Sequence, residues 1–288
     1  MTKKKLKILR QLSVPQALAM AIAVVLRKTT KPFTSLYEIE SVLDHVYANN
    51  YICKREGNGN LLSIADDPDI NPYQFFLRRM TSDFAVFQQC LVTKQYRTLR
   101  DLVLQSVQKD QTKVRYIVDA GANIGCVTLY LARSFPEAQL ISLEPDSGNY
   151  TSLEYNIKLN NLNSVTPLQK GLWGVDCTLA PSFDFRDARE WSFRFAPSRS
   201  NTGIPGISIP TLMRDFAMPG IDVLKIDIEG AEVILFDKDR TQIDWLNRVR
   251  YVAIEIHDSH ARSNILDLLK EYGFAIVSTG EITIALRS

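Results

Sequence analysis

Residues 118–129 read Val-Asp-Ala-Gly-Ala-Asn-Ile-Gly-Cys-Val-Thr-Leu, and this stretch decides the fold. The apolar run before it ends in an acid, Asp119, and a turn of small residues follows from Gly121 to Gly125. Apolar residues then return at helical spacing. A strand, a glycine turn and a helix in this order open a nucleotide-binding βα unit. Its turn presents backbone N–H groups and lets a ligand approach the main chain.

Two acidic residues limit the kinds of ligand that this turn is expected to bind. The turn has the pattern Asp-x-Gly-x-x-x-Gly instead of the Gly-x-Gly-x-x-Gly of dinucleotide-binding turns, and Asp119 lies where a pyrophosphate would meet a negative charge. A carboxylate there favours a cationic or hydrogen-bond-donating ligand, such as the amino-acid part of S-adenosylmethionine. The next apolar run ends at Glu144, 19 residues beyond Gly125, an offset from which an acid accepts hydrogen bonds from ribose hydroxyls. The alternative is a plain βαβ turn with a solvated acid.

Composition and charge describe an ordinary globular protein. The chain has 288 residues, 45% hydrophobic and 23% charged, which allows one large domain or two smaller ones. The formal net charge of +2 gives no argument for nucleic-acid binding. The four cysteines have neither CxxC spacing nor a disulfide pattern, and this favours reduced thiols and a cytoplasmic location.

The N-terminus combines basic residues with a short apolar run. Five positive side chains lie between Lys3 and Arg10, and residues 17–26 are apolar. This run is too short to span a membrane, and it passes directly into Arg27-Lys28 with no Ala-x-Ala-like cleavage site following it. We interpret it first as a buried helix of an N-terminal domain. A helix that contacts a membrane surface or a partner, and a secretory signal peptide, are the two alternatives.

The pattern of predicted secondary structure changes at about residue 110. Residues 1–110 predict a helix-rich N-terminal cap for substrate or partner binding, with a helix over residues 35–51 and a hairpin around the Gly-Asn-Gly-Asn of residues 57–60. Residues 111–288 alternate strands with helices. This alternation predicts an α/β fold in which a mostly parallel sheet is covered by helices on both faces.

The predicted sheet has a strand for each apolar run of residues 111–288. These runs are residues 114–119, 139–144, 165–172, 222–227, 251–257, 275–278 and 282–286. The last two read as a hairpin, which places an antiparallel strand in the sheet. Because ligands of such sheets bind at the carboxyl ends of the strands, the residues just after each strand are the candidates for function.

An insertion at about residues 176–205 interrupts this alternation. Residues 191–195 alternate aromatic and polar side chains and predict a strand, and residues 197–203 predict a loop. Aromatics and arginines beside the ligand edge suit an acceptor substrate, whereas the same aromatics also suit a core.

A second polar constellation lies in residues 224–232, Leu-Lys-Ile-Asp-Ile-Glu-Gly-Ala-Glu. Strand alternation puts the lysine, Asp227 and Glu229 on one side. One strand further on, Glu255 and His257 also share a face at the end of their strand. The carboxyl edge of the predicted sheet therefore gathers several carboxylates and an imidazole.

These motifs resemble the FkbM-type S-adenosylmethionine-dependent methyltransferases. The resemblance covers about residues 80–288 and is carried by residues 119–125, 143–146, 224–232 and 255–257, with Asn149, Asn156 and Asn160. It implies a seven-stranded Rossmann-like methyltransferase sheet, S-adenosyl-L-methionine as cofactor, and O-methylation of a hydroxyl of a sugar, glycolipid or natural product. It does not extend to residues 1–75.

Carried over by position, the resemblance implies cofactor-binding residues at successive strand ends. They are Asp119, Gly121, Asn123 and Gly125 for the amino-acid end, Glu144 for the ribose, and Gly171, Leu172 and Trp173 for the adenine. Trp173 departs from the smaller residue expected there, although an indole can stack on a base.

Methyl transfer to a hydroxyl requires alignment of donor and acceptor and a group that takes the proton. His257 has the unperturbed pKa best suited to this role. Asp227 or Glu229 would serve if burial raised its pKa, or would orient His257. Alternatively, His257 only holds a loop, or Asp227 with Glu255 or His257 binds a divalent cation, for which magnesium suits the oxygens and manganese or zinc the imidazole. The sequence by itself assigns no metal.

Other classes of function remain as alternatives. The chain could be a binding module that keeps the fold without the chemistry, or an NAD-dependent or nucleotide-sugar enzyme, which Asp119 disfavours. The implied partner is a small-molecule or glycan acceptor with a free hydroxyl. The sequence leaves a homodimer open.

Overall fold

The structure is a computed structural model that describes residues 52–64, 67, 69–70, 72–78, 81–182, 194–198, 203–279 and 281–287. The chain divides into two compact units, Met1–Lys94 and Gln95–Ser288. The helix predicted over residues 35–51 and the basic-apolar run at the N-terminus lie outside the described residues. Within the described ranges, no helix is both long enough and apolar enough to cross a membrane.

The first unit contains an antiparallel sheet. In its described part the sheet has three strands, β1 (Ile52–Glu56), β2 (Gly59–Ile64) and β3 (Tyr73–Arg78). β1 and β2 pair from Ile52 with Ser63 to Glu56 with Gly59, so the predicted hairpin is confirmed. Buried and partly buried residues alternate along β3, and the ring of Phe75 packs 5.7 Å from that of Phe87 in helix α1 (Asp83–Phe87). A π-helical segment, Gln88–Val92, continues this helix.

The second unit is an α/β domain. Its helices are α2 (Arg97–Asp110), α3 (Cys126–Ser134), α4 (Ser147–Leu159), α5 (Ile209–Asp215), α6 (Glu232–Leu235) and α7 (Arg262–Glu271), with a 3₁₀ turn at Asp244–Arg248. The strands of its main sheet are β4 (Tyr116–Ala120), β5 (Gln139–Leu143), β6 (Val165–Leu168), β11 (Ile221–Ile226), β12 (Val249–Glu255), β13 (Ala275–Thr279) and β14 (Ile282–Leu286). Helix α2 thus belongs to the same unit as the sheet.

The main sheet has the predicted mixed topology. Over the described residues its order is β13-β14-β12-β11-β4-β5-β6, in which β14 is antiparallel to both of its neighbours and the other pairs are parallel. The central strands are buried along most of their length, as expected for a sheet covered on both faces. The prediction of a seven-stranded, mostly parallel sheet is confirmed.

The strand order reverses between β4 and β11. From β4 the chain continues to β5 and β6 on one side, and β11 and β12 then lie on the other side. Such a reversal opens a crevice at the carboxyl ends of the two strands, where ligands of α/β sheets bind. The register places Lys225 of β11 directly beside Asp119 of β4. The two polar constellations of the sequence therefore meet at this point.

A smaller sheet accounts for the main difference from the prediction. The strand expected over residues 165–172 is divided, because the N–H of Lys170 donates to the Leu168 carbonyl in a tight turn. β6 stays in the main sheet, whereas β7 (Gly171–Leu172) joins β8 (Cys177–Ser182), β9 (Arg194–Pro197) and β10 (Ile204–Ile207) in the described part of a second sheet, in the order β7-β10-β8-β9. The strand predicted for the insertion begins at Arg194, and residues 191–193 lie outside the described ranges.

Candidate active site

The turn after β4 has a backbone that only glycine fits at its first position. Gly121 has φ +76°, and a Cβ atom there would lie 1.7 Å from the carbonyl oxygen of Asp227. Gly125, at φ +94°, and Asn123, at φ +50°, also adopt left-handed conformations. The sequence explained these glycines by the approach of a ligand. The structure shows that Gly121 is required by the approach of the turn that follows β11.

Glu144 joins the end of β5 to the turn after β4. Its Oε2 accepts a hydrogen bond of 2.7 Å from the N–H of Asn123, and its Oε1 accepts one of 2.9 Å from the N–H of Asp146. Burial raises the pKa of Glu144 to about 7, although these two hydrogen bonds act in the opposite direction. Each carboxylate oxygen keeps a further lone pair. The predicted acceptor of ribose hydroxyls therefore lies beside the predicted turn.

Asp119 lies beneath the turn and has no exposed surface. Its Oδ2 accepts a hydrogen bond of 2.7 Å from the Thr128 hydroxyl, which is also 3.0 Å from the Ser142 hydroxyl. Its Oδ1 lies 3.3 Å from Nζ of Lys225 and accepts no hydrogen bond from the described residues. The carboxylate of Asp119 thus holds β4, α3 and β11 together below the turn. Because Asp119 is fully buried, it can affect a bound ligand only through the turn and Lys225.

Lys225 is the residue of this region for which no role was predicted from the sequence. Its side chain is 2% exposed, and Nζ donates hydrogen bonds to the carbonyl oxygens of Gly121, at 2.7 Å, and Ala120, at 3.3 Å. The same ammonium lies 3.3 Å from Asp119 and 3.6 Å from Oδ2 of Asp227. The sequence indicated this position only through strand alternation, which places Lys225 on the same face as Asp227. A buried lysine therefore connects the turns after β4 and β11.

Acidic side chains surround His257 at the carboxyl ends of β11 and β12. Nε2 lies 3.5 Å from Oε2 of Glu229, 3.6 Å from Oε1 of Glu255 and 3.7 Å from Oδ1 of Asp227. The opposite ring nitrogen, Nδ1, lies 3.2 Å from Oε1 of Glu232. The structure therefore brings the predicted catalytic residues together and adds Glu232, which the sequence analysis named only as the last residue of the stretch 224–232.

The turn after β11 brings these acids together through two consecutive left-handed residues. Glu229 has φ +52° and Gly230 has φ +98°. A non-glycine residue in this region costs roughly 1–2 kcal/mol, so other contacts must hold Glu229 there. One stabilising contact of the turn is the 3.1 Å hydrogen bond from the N–H of Ile228 to Oε1 of Glu232.

The surroundings of the cluster shift two pKa values. Burial acts to lower the pKa of His257, but a hydrogen bond with Glu232 and the charges of Glu232, Asp227 and Glu229 raise it to about 9. Burial, together with the charge of Asp227, raises the pKa of Glu255 to about 8. At neutral pH His257 is therefore an imidazolium that donates from Nδ1 to Glu232.

The residues expected beside the adenine lie in the second sheet and are buried. Leu172 is 2% exposed and Trp173 is 7% exposed. The indole packs in an apolar cluster with Leu179 and Ala231. A Cβ atom on Gly171 would lie 2.6 Å from Leu179 and 3.8 Å from the Cβ of Pro145, the residue after Glu144. This segment therefore lies close to Glu144, and the indole of Trp173 packs in the core of the domain.

Comparison with known proteins identifies the family of this site. The model of the methyltransferase FkbM domain matches residues 119–276, more than half of the chain. The chain belongs to the FkbM methyltransferase family. It is 30% identical over 193 residues to Methyltransferase sdnD of Sordaria araneosa, across 56% of this chain and 74% of that protein. It is 29% identical over 184 residues to Methyltransferase 1 of Beauveria bassiana, across 56% of this chain and 72% of that protein.

Solved methyltransferase structures also resemble the FkbM chain. One is precorrin-6y C5,15-methyltransferase from Geobacter metallireducens, at 13% identity and a TM-score of 0.39 over 67% of this chain and 89% of that one. The family identifies the chain as an S-adenosylmethionine-dependent methyltransferase. The predictions of family and cofactor are therefore confirmed.

The described residues fit this cofactor. Glu144 offers a buried carboxylate with acceptor capacity for ribose hydroxyls, next to a turn that Gly121, Asn123 and Gly125 shape. The acids around His257 give the adjoining edge an excess of negative charge, which suits a positively charged sulfur. When bound, S-adenosylmethionine supplies a methyl group carried on such a sulfonium.

Proposed function

We propose that this FkbM methyltransferase is an O-methyltransferase that acts on a hydroxyl of a sugar, glycolipid or natural product. The observation that carries the proposal is the cluster of Asp227, Glu229 and His257 at the reversal of strand order. The backbone of Asp227 is in contact with Gly121 of the turn assigned to the cofactor. A hydroxyl placed at the cluster is therefore next to that turn.

The cluster supplies what a hydroxyl acceptor needs. A neutral alcohol is a weak nucleophile, and a carboxylate within hydrogen-bond reach removes its proton as the new bond to carbon forms. His257 is protonated at neutral pH, so this role passes to the carboxylate of Asp227 or Glu229, and the imidazolium orients both from 3.7 and 3.5 Å. Lys225 lies 3.6 Å from the other oxygen of Asp227 and holds that carboxylate beside the turn after β4.

The electrostatics of the site also separate this function from the NAD-dependent alternative. Asp227, Glu229, Glu232 and Glu255 outnumber the positive groups in contact with them, and no phosphate would be held at such an edge. A sulfonium and an uncharged hydroxyl are both compatible with it. A binding module that performs no chemistry would not need these acidic side chains close together.

The test of cofactor class is calorimetric titration with S-adenosylhomocysteine and with NAD. We expect heat from the first and none from the second, and the reverse result would reject the proposal. The test of reaction class is incubation with isotope-labelled S-adenosylmethionine and paired acceptors that differ only in carrying a hydroxyl or an amine. Mass spectrometry should find methyl ethers, and methylamines alone would refute O-methyl transfer.

The acceptor is proposed to be a small molecule or glycan whose choice depends on residues 1–110 and on the insertion at about residues 176–205. We also propose a cytoplasmic location. Within the described residues Cys90 and Cys126 are buried and Cys177 is partly buried, and the sequence has neither CxxC spacing nor a disulfide pattern, as is usual in a reducing compartment. Fractionation of cells that express the tagged chain would test this, and recovery from an oxidising compartment would contradict it.

A further inference from the structure

The cluster around His257 has the composition and spacing of a metal site. We propose that Asp227, Glu229 and His257 bind a divalent transition-metal cation, through one carboxylate oxygen of each acid and Nε2 of the imidazole. One ligand atom from each of the three residues lies within 4.8 Å of the others. The proposal goes beyond methyl transfer, because cation binding does not require that reaction.

The distances between the three ligand groups support this assignment. With metal–ligand bonds of about 2.1 Å, two ligands are separated by about 3.0 Å at octahedral and about 3.4 Å at tetrahedral angles. Nε2 lies 3.5 Å from Glu229 and 3.7 Å from Asp227. Both separations exceed the roughly 2.7–3.2 Å of an N–H···O hydrogen bond. The groups therefore face one another at a spacing close to that of ligands around a shared cation.

Glu232 orients the imidazole for such a site. Its Oε1 lies 3.2 Å from Nδ1 and also accepts the Ile228 N–H at 3.1 Å, so its position is fixed from the backbone. Histidines that bind metals commonly donate the ring N–H that does not face the metal to a carboxylate. With Nδ1 used in this way, Nε2 is the nitrogen directed at Asp227 and Glu229.

A second observation comes from the other oxygen of Glu232. The side chain of Glu232 is 1% exposed, and its Oε2 has no hydrogen-bond partner among the described residues. A buried acceptor without a partner is unfavourable, and more so when it is charged. A divalent cation bound on the other side of the imidazole would offset the negative charge of Glu232 and of the acids around it.

The ligand set favours manganese or zinc over magnesium. An imidazole with two carboxylates suits the softer cations, whereas magnesium prefers oxygen ligands alone. When the cation binds, Nε2 releases its proton to solvent and the metal–nitrogen bond takes its place. If the acceptor hydroxyl binds here, the cation would coordinate its oxygen and help it to ionise, a consequence that rests on the proposed function.

The test uses the full chain, stripped of metal with a chelator and then dialysed. Mn²⁺ is titrated in, and the spectrum of free Mn²⁺ is followed by electron paramagnetic resonance. We expect one equivalent of Mn²⁺ to disappear from that spectrum, and Zn²⁺ to displace it far better than Mg²⁺. We expect Glu229→Gln and His257→Gln to weaken Mn²⁺ binding at least ~10-fold, since loss of an outer partner alone typically costs 10–100-fold.

The matched control is Asp258→Asn. Asp258 follows His257 directly, is 41% exposed and accepts hydrogen bonds from the N–H groups of His260 and Ala261, so it lies outside the proposed ligand set. Its variant should bind Mn²⁺ as the unchanged chain does, and thermal unfolding would confirm that all variants are folded.

Three results would overturn the metal site. They are no Mn²⁺ binding by the unchanged chain, equal Mn²⁺ affinity in the Glu229 and Asp258 variants, and displacement by Mg²⁺ as effective as that by Zn²⁺. None of them depends on methyl transfer. Failure of the metal site and failure of the proposed function are therefore distinguishable.

Discussion

Nζ of Lys225 donates a hydrogen bond of 2.7 Å to the carbonyl oxygen of Gly121, and so fixes the strand that leads to Asp227 against the turn assigned to the cofactor. The lysine is almost fully buried and reaches Asp119 and Asp227 with the same ammonium group. The proposed donor and acceptor sides of the site therefore share the buried ammonium group of Lys225.

Replacement of Lys225 should affect both the stability of the fold and the binding of the cofactor. Lys225→Met leaves the carboxylate of Asp119 buried without its counter-charge, and breaking a buried pair in this way typically costs about 3–5 kcal/mol. We expect a loss of that order in the free energy of unfolding, measured with urea, and weaker binding of S-adenosylhomocysteine in calorimetry. Lys238→Met is the control, because Lys238 pairs with Glu271 at the surface, where such pairs contribute about 1 kcal/mol or less. Equal losses in the two variants would contradict the role of Lys225.

The close approach of Gly121 to Asp227 can be separated from backbone strain by a pair of alanine variants. Gly121→Ala places a Cβ atom against the Asp227 carbonyl at φ +76°, whereas Gly273→Ala at φ +81° has nothing within 4 Å. We expect Gly273→Ala to lose about 1–2 kcal/mol from the left-handed backbone alone. Gly121→Ala should lose several kcal/mol more and bind S-adenosylhomocysteine poorly. Similar unfolding free energies for both variants would argue against the contact.

Glu144 should make stability fall as the pH rises. Its carboxyl group has a pKa of about 7 in the folded chain and 4.5 as the ordinary value, so between these values the folded chain holds a proton that the unfolded chain has released. The stabilisation is complete below pH 4.5 and is lost as the pH rises through 7, by about 3 kcal/mol at most. Glu144→Gln should lack this slope in urea unfolding measured between pH 5 and pH 8. A slope unchanged by the substitution would assign the pH dependence to other groups.

The same ionisation should have the opposite effect on cofactor binding. A charged carboxylate accepts hydrogen bonds from ribose hydroxyls more strongly than its neutral form does. We expect the affinity for S-adenosylhomocysteine to increase from pH 6 to pH 8 and to stay flat in Glu144→Gln, as measured by calorimetry. An affinity that falls over this range in the unchanged chain would remove Glu144 from the ribose site.

Substitution at the cluster should separate turnover from cofactor binding. Asp227→Asn keeps the shape of the side chain but removes a proton acceptor, and loss of such a group commonly lowers the rate 10²–10⁴-fold. We expect a fall of at least ~10²-fold in kcat, with the affinity for S-adenosylhomocysteine changed only a few-fold. Asp215→Asn, an exposed acid at the end of α5, should retain full turnover. Unchanged turnover in Asp227→Asn would mean that the acceptor proton leaves by another route.

The sequence predicted the main sheet well because its strands carry strong apolar runs with clear interruptions. Glu144 was found from its offset to the glycine turn, and the hydrogen bond from the Asn123 N–H shows why the two belong together. Asp227, Glu229 and His257 were predicted to lie at one edge because the ends of adjacent parallel strands meet there, and the structure brings them together. Strand alternation does not extend to Glu229, however, which reaches the cluster through a left-handed turn after β11.

Other features depend on contacts between segments far apart in the chain. A lysine in a strand looks solvent-exposed until Asp119 and the carbonyl of Gly121 are seen around it. The division of residues 165–172 follows from a turn at residues 169–170 that contains neither glycine nor proline. Trp173 was placed at the adenine by position, but its apolar neighbours Leu179 and Ala231 lie 6 and 58 residues further along the chain. The contacts of Lys225 with Asp119 and of Trp173 with Ala231 join segments too far apart to be recognised from local sequence.

The contact between Gly121 and the carbonyl of Asp227 joins two loops through backbone atoms alone. At this contact no side chain separates the two loops, so one loop cannot shift there without the other. New acceptor preferences are therefore expected from changes elsewhere along the crevice, and the turn after β11 is a poor target for redesign. In the proposed assignment, the part of the site that meets the acceptor oxygen has the same rigidity as the part that holds the methyl donor.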